Sequence, residues 1–275
     1  MSPAKARSVG FLGAGNMASA MIRGFLSARL YRPTAMWATD VVRTKRRELG
    51  RRFGIGWADG NQELVAGSEI VVLAVKPQSL PEVLREIRPN VARRHLFVSI
   101  AAGFPLRRLE EELGPTARVV RVMPNTPALC GRGMSVLVRG RRASGADERA
   151  VLRMFRAVGD AVAVRDESLL DPVTGLSGSG PAYVYRFAEA LIAAGVAQGL
   201  EAVLSGRLVF QTLEGACAML RETGKSPEEL RQMVSSPGGT TLAGLAVLEE
   251  GRFFDTVIGA VGRATARSRE LGQAV

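Results

Sequence analysis

The sequence predicts a doubly wound, mostly parallel α/β sheet followed by an all-α domain, and three observations predict it. A glycine-rich turn joins a short apolar strand to an amphipathic helix near the start of the chain. Short apolar runs then alternate with helical segments as far as residue 165. Beyond that point long helical segments take over and no period-two pattern returns. Continuous apolar runs interleaved with helices indicate parallel strands covered on both faces. With 275 residues and a prior of roughly 150 per domain, two domains are expected, 1–165 and 166–275.

The first element carries the most information. Val9, Phe11 and Leu12 predict a buried strand, Gly13-Ala14-Gly15 a turn, and Asn16 onward a helix with Met17, Met21, Ile22 and Phe25 at helical spacing. Gly13-x-Gly15-x-x-Ala18 is the dinucleotide-binding spacing with alanine as its third small residue. Gly13 permits the tight turn, Gly15 lets backbone approach a pyrophosphate, and Ala18 lets helix and sheet pack closely. The helix start then offers free N–H groups to the anion. This half is therefore expected to be Rossmann-like.

The next strand is expected over Ala35–Asp40. Asp40 stands near the usual offset for a carboxylate that binds the adenosine ribose diol, and equally suits the N-cap of the following helix. Arg43, Lys45 and Arg46 follow at once and could instead hold a 2′-phosphate. The two signals oppose each other, leaving NADH and NADPH both open. Further strands are expected at Ile70–Ala74, Leu96–Ile100, Val119–Val122, Ser135–Val138 and Ala161–Val164, with a helix over Asp147–Val158. Ligands of such sheets lie beyond the carboxyl ends of the strands. That places Ala74-Val75-Lys76-Pro77, the loop through Ala101 and Ala102, and Met123-Pro124-Asn125-Thr126-Pro127 around one cleft. In the second half, Gly175–Gly180 is expected to be a loop, with Pro181 at a first helical position. Helices are then expected over 202–223, 227–234, 241–250 and 252–271.

Composition narrows the function. The polar lead-in through Arg7 has no apolar run and is not expected to be a signal peptide, and no apolar run approaches the ~20 residues of a membrane span. Cys130 and Cys217 lack metal-ligand spacing, so a reduced, cytoplasmic protein without a metal site is expected. The net charge is +11, with 28 Lys/Arg against 13 Asp/Glu in residues 1–165 and 9 against 13 in residues 166–275. A basic field over the first half suits an anionic cofactor. Only four of the cations are lysine and none of the charge forms a stripe, so surface arginine explains it equally well, and no nucleic-acid module accompanies it. His95 is the single histidine and precedes a strand, at the end of the sheet away from the cleft. Histidine-based triads, general bases and metal sites therefore fail for want of residues. Hydride transfer needs fewer protein groups, because a cofactor brings the chemistry.

Val234-Ser235-Ser236-Pro237-Gly238-Gly239-Thr240-Thr241 is the other informative stretch. Two glycines and two threonines ahead of a helix can present several N–H groups to a carboxylate, or simply form a cap and turn.

Together with Gly10–Met17, Ala74–Pro77, Met123–Pro127 and Gly175–Tyr183, this stretch resembles pyrroline-5-carboxylate reductase, with the motifs spread over nearly the whole chain in family order. The resemblance implies NAD(P)H-dependent reduction of the C=N bond of 1-pyrroline-5-carboxylate to L-proline. It implies that Ser235, Ser236, Gly238, Gly239 and Thr240 cradle the substrate carboxylate, that Thr241 bonds the ring nitrogen, and that Glu167 lines the pocket. It assigns Gly13, Ala14, Gly15, Asn16, Met17, Asn61, Ala74, Val75, Lys76, Pro77, Ala101 and Ala102 to the cofactor, to which the reading of the residues themselves adds Asp40 and Arg43. It also implies an intertwined homodimer, often built into rings, with the site completed across the dimer. Where the family often has Ser or Asn after the second strand, with or without an Arg, this chain has Asp40. Two rivals remain. A β-hydroxyacid dehydrogenase would need a lysine within a glycine-rich helix of the second domain, where only Lys225 is present. A non-catalytic nucleotide sensor or nucleic-acid-binding protein would use the basic half alone.

Overall fold

The computed structural model describes residues 8–273; the lead-in through Arg7 lies outside them. The first half alternates as expected: β1 (Val9–Leu12), α1 (Asn16–Ser27), β2 (Met36–Thr39), α2 (Arg43–Phe53), β3 (Gly56–Trp57), α3 (Asn61–Gly67), β4 (Ile70–Leu73), α4 (Leu80–Ile87), β5 (Leu96–Ser99), α5 (Leu106–Leu113), β6 (Arg118–Met123), β7 (Gly133–Arg139), α6 (Gly145–Arg156) and β8 (Gly159–Ala163). They form one eight-stranded sheet in the order β3-β2-β1-β4-β5-β6-β7-β8. All neighbours are parallel except β6 and β7. The exception follows from chain length. Residues 124–132 are too few for a parallel crossover, which takes a dozen or more, so the chain turns back on itself.

β1, β4 and β5 are buried along their whole length. Their side chains divide by parity between two cores. Phe11, Ile70, Val72 and Val98 pack with Met21, Phe25 and Phe155 on one face. Leu12, Val71, Leu73 and Phe97 pack with Leu64, Leu84 and Leu109 on the other. This is why these strands read as unbroken apolar runs.

Two elements were not legible. β3 is only two residues long, and Gly56 lies under the Trp37 ring, where a Cβ would come within 2.6 Å of the indole. α3 buries only Leu64 and Val65, too little for a periodic signal. α6 begins two residues before its expected start, because Ser144 and Asp147 form a reciprocal capping box. Asp147 also takes a 2.6 Å bond from Arg118, tying the helix start to β6.

His95 is fully buried just before β5, where its Nδ1 accepts the Ala92 N–H at 3.0 Å and its ring meets Phe97 edge-on. Burial, with Arg94 and Arg118 nearby, lowers its pKa from 6.5 to about 4. The folded protein thus keeps His95 neutral while the unfolded chain takes up a proton first. Stability contributed by this group is complete above pH 6.5 and lost as pH falls toward 4, with an integrated effect on the order of 3 kcal/mol. Chemical denaturation between those limits should show the decline. His95→Asn keeps an acceptor for Ala92 and should remove the histidine part of the slope; an unchanged slope would assign it to other groups.

After β8 the chain becomes helical: a short turn at Glu167–Leu169, α7 (Leu170–Val173), a π-helical turn at Thr174–Gly178, then α8 (Gly180–Ala197), α9 (Ala202–Glu222), α10 (Pro227–Met233), α11 (Thr240–Glu250) and α12 (Phe253–Gln273). The expected loop at Gly175–Gly180 is therefore helical, and Pro181 is the second residue of α8 rather than the first. The Ser179 N–H reaches back five residues to the Thr174 carbonyl at 2.8 Å. Pro181 has no N–H to offer Ser177, and the Asn125 side-chain amide donates to that carbonyl at 3.1 Å instead. Asn125 also accepts the Met134 N–H at 2.8 Å through Oδ1. A side chain from the β6–β7 connection thus supplies the donor that proline lacks, which is how proline is tolerated there.

The chain divides into two compact units, one reaching Ser179 and including the residues from Gly262, the other spanning Gly180–Val261. That differs from a division at 165/166, because residues 166–179 and the last turns of α12 pack with the sheet unit. Ser268 Oγ, for example, donates to Asp171 at 2.7 Å.

Candidate nucleotide and carboxylate sites

In the sheet unit, the turn after β1 has the geometry its glycines predict. Gly13 has φ +103°, and a Cβ there would come within 2.6 Å of the Ala74 carbonyl oxygen. Its N–H donates to Thr39 at 2.9 Å, and Ala74 donates to Leu12 at 2.8 Å, so the turn is fixed to the ends of β2 and β4. Gly15 is the residue before α1, in extended conformation, and a Cβ built there meets nothing within 4 Å. No side chain caps α1 and its first turn has no acid. Free N–H groups at Asn16 and Met17 beside open space above Gly15 fit a pyrophosphate.

Asp40 closes this corner. Its Oδ2 accepts the Ala14 N–H and its Oδ1 accepts the Val42 N–H, both at 2.9 Å. It does not cap α2, whose preceding residue is Val42 with no side-chain cap. The three cations that follow separate. Arg46 is buried and donates to the Ala58 and Asp59 carbonyls at 3.1 and 3.0 Å. Lys45 lines a groove of about 290 Å³ between α1 and α2, with Ala14, Gly15 and Asn16 of the glycine turn and with Arg23, Glu48 and Arg52. Arg43 begins α2 and is exposed.

Ala74–Pro77 leaves the carboxyl end of β4, with Lys76 exposed ahead of a 3-10 turn at Pro77–Ser79. Ala101 and Ala102 leave the end of β5, Ala101 buried with its N–H on Ser99 Oγ at 3.4 Å. Asn61 begins α3, and its amide donates to Glu86 on α4 at 2.6 Å. Glu167 is held twice through Oε1, by the Leu106 N–H that opens α5 at 2.7 Å and by Arg121 Nη1 at 2.6 Å. It acts there as a remote cap for α5, a structural duty that no local pattern announces.

In the helical unit, α10 ends at Met233 and the Ser235–Gly239 turn leads into α11. Gly238 has φ +69°, and the Gly239 N–H returns to the Ser236 carbonyl at 3.0 Å. Ser235 Oγ donates back to the Arg231 carbonyl at 2.7 Å, so this hydroxyl's proton is used within the turn. Gly239 precedes α11 with no side-chain cap, and the first N–H of the series with a helical partner is that of Ala243. Thr240, Thr241 and Leu242 thus present N–H groups at a helix start, beside the hydroxyls of Ser236, Thr240 and Thr241. Such an array receives a carboxylate. Lys225 lies in the loop between α9 and α10, not on a helix.

Comparison with known proteins agrees with both halves. Residues 167–271 match the family model described as pyrroline-5-carboxylate reductase dimerisation. Pyrroline-5-carboxylate reductases of Methanosarcina acetivorans and Arabidopsis thaliana are 42% and 41% identical to the chain, covering 97% and 98% of it and 98% of each relative. The chain belongs to the pyrroline-5-carboxylate reductase family. Residues 8–103 match a second model, described as NADP oxidoreductase coenzyme F420-dependent. Among solved structures, the Coxiella burnetii reductase superposes with a TM-score of 0.90 at 33% identity, covering 97% of this chain and 99% of that one. The Plasmodium falciparum reductase, solved with NADP bound, gives 0.87 at 34% identity over 97% and 98%. The Rossmann-like sheet with a helical second half is thus the family fold.

Proposed function

We propose that this chain reduces 1-pyrroline-5-carboxylate to L-proline with NAD(P)H, the last step of proline biosynthesis. The observation that carries the reading is likeness over nearly the whole length to proteins of that name, at about two residues in five identical. Gly13–Met17, Ala74–Pro77, Ala101 and Ala102 hold the cofactor, with Asp40 and Arg43 at the adenosine end. Asn61 joins them only if its amide leaves Glu86. Residues 1–165 thus serve the nucleotide, and residues 166–275 serve the substrate and the dimer.

Reduced nicotinamide, when bound, supplies the hydride. The chain's own task is to hold the imine. The N–H groups opening α11 and the hydroxyls of Ser236 and Thr240 hold the carboxylate, while Thr241 bonds the ring nitrogen and fixes which carbon is presented. Because the imine nitrogen is already protonated, the C=N pair moves onto it as hydride adds to carbon, and no strong protein acid is required. The absence of a histidine from this site then costs nothing. Orientation at roughly 3–3.5 Å and exclusion of water are what the protein contributes.

The helical unit supports a homodimer. α8 and α9 bury only Ala188, Ser205 and Val209, and α10 and α11 bury none of their residues. Val203, Phe210, Val247 and Phe254 are between 62% and 77% exposed. So much uncovered apolar surface marks an interface, and a second copy is the proposed cover, with rings of dimers a further step. Among the described residues no helix is long and apolar enough to cross a membrane. Both thiols are free and exposed, as suits work in the cytoplasm.

Purified chain should form proline from the imine while consuming reduced nicotinamide. Thr241→Ala should lower kcat about 10- to 100-fold with nucleotide affinity unchanged. Wild-type kinetics in that variant would remove Thr241 from the mechanism. Turnover of hydroxy acids but not of the imine would favour the dehydrogenase rival, which the loop position of Lys225 already disfavours.

A further inference from the structure

We infer that Asp40 makes this chain an NADH enzyme that discriminates against NADPH. The inference rests on the nucleotide lying over the first glycine turn, for which the free α1 N-terminus and the space above Gly15 are the fit.

The carboxylate is fixed, not adrift. Two backbone donors at 2.9 Å, one from the glycine turn and one from Val42, hold it at the carboxyl end of β2. Each oxygen accepts one N–H and retains a second lone pair. That is the equipment for the two hydroxyls of a ribose diol, both of which are donors. A 2′-phosphate reverses the demand. It brings up to two negative charges and no donor to a place where a carboxylate already stands, within a few ångströms.

Little that could offset that charge stands next to Asp40 itself. The two residues after Asp40 are Val41, 95% exposed, and Val42, whose N–H already serves Asp40. Neither side chain can donate to a phosphate. Of the three cations beyond them, Arg46 is turned inward onto Ala58 and Asp59, with its guanidinium 3.6 Å from the Asp59 carboxylate. Lys45 lines the groove between α1 and α2 together with Ala14, Gly15, Asn16 and Glu48. Arg43 stays at the loop itself, a long exposed side chain opposing a fixed carboxylate. The sequence shows a basic cluster after β2; the structure disperses it.

The test is direct titration of the full chain with NADH and with NADPH, followed by steady-state kinetics on the imine with each. NADH should bind at least about tenfold more tightly, a difference worth about 1.4 kcal/mol, and kcat/KM should follow. Asp40→Ser should weaken NADH and tighten NADPH, bringing the ratio of dissociation constants to one or below. Asp40→Asn removes the charge while leaving an acceptor for the Ala14 N–H, and should move the ratio the same way if the serine variant unfolds. Equal or tighter binding of NADPH by the unaltered chain would overturn the inference, as would a ratio unmoved in both variants. Failure of both nucleotides to bind would instead remove the site itself, and the inference with it.

Discussion

Gly13→Ala should both destabilise the protein by about 2–4 kcal/mol and abolish measurable nucleotide binding. At φ +103° a side chain is strained before any contact is made, and the new methyl would stand 2.6 Å from the Ala74 carbonyl oxygen and 2.8 Å from its carbon. Both atoms are backbone and belong to the residue that follows β4, so neither can swing aside. Relief requires the turn to move, and with it the Gly13 bond to Thr39. Gly15→Ala is the companion experiment. Its backbone is extended and its Cβ meets nothing, so the variant should melt like the parent. The methyl would nevertheless enter the space assigned to the pyrophosphate, and affinity should fall about 100-fold, or some 2.7 kcal/mol. Denaturation and nucleotide titration of the pair separate folding from binding. Normal binding in Gly15→Ala would move the cofactor away from this turn.

The second large effect concerns Arg121→Met. The Arg121 side chain is 8% exposed and its Nη1 lies 2.6 Å from a Glu167 carboxylate that is 30% exposed. Removing the cation leaves that carboxylate with the Leu106 N–H alone. Breaking a buried pair from one side costs about 3–5 kcal/mol, and the partial exposure of Glu167 brings the expectation to about 2–4 kcal/mol. Glu167→Gln should cost less, because the amide oxygen still accepts from Leu106. The double variant should be more stable than Arg121→Met alone, since no charge is then left uncompensated. Kinetics of Glu167→Gln decide its other role. A raised KM for the imine places Glu167 at the substrate, whereas an unchanged KM leaves it as the cap of α5.

The centre of the sheet was legible because β1, β4 and β5 are buried on two faces and announce themselves as unbroken apolar runs. The glycine turn was legible because φ and close approach restrict what can stand at Gly13. The helical half was legible in its boundaries, the expected 202–223, 227–234, 241–250 and 252–271 falling within two residues of α9 to α12, but the π turn at Thr174–Gly178 was not. Glycine and serine there suggest a loop, and the bond that keeps the segment helical comes from Asn125, 52 residues away from Ser177. The fate of the basic cluster was equally hidden. Arg43, Lys45 and Arg46 are nearly adjacent in the chain, yet helical geometry sends them to three different surroundings. Glu167 was singled out for the substrate through resemblance alone, whereas its bonds to Arg121 and Leu106 depend on tertiary folding.

The amide of Asn125 ties two parts of the fold to each other. A helix normally completes its ladder from its own backbone, and so can form and dissolve locally. Here the carbonyl that Pro181 leaves unanswered is satisfied by a residue between β6 and β7, and the same residue receives the second strand of that hairpin through Met134. The turn that leads into α8 therefore draws one of its bonds from the β6–β7 connection, and Asn125→Ala should loosen that turn and the hairpin together.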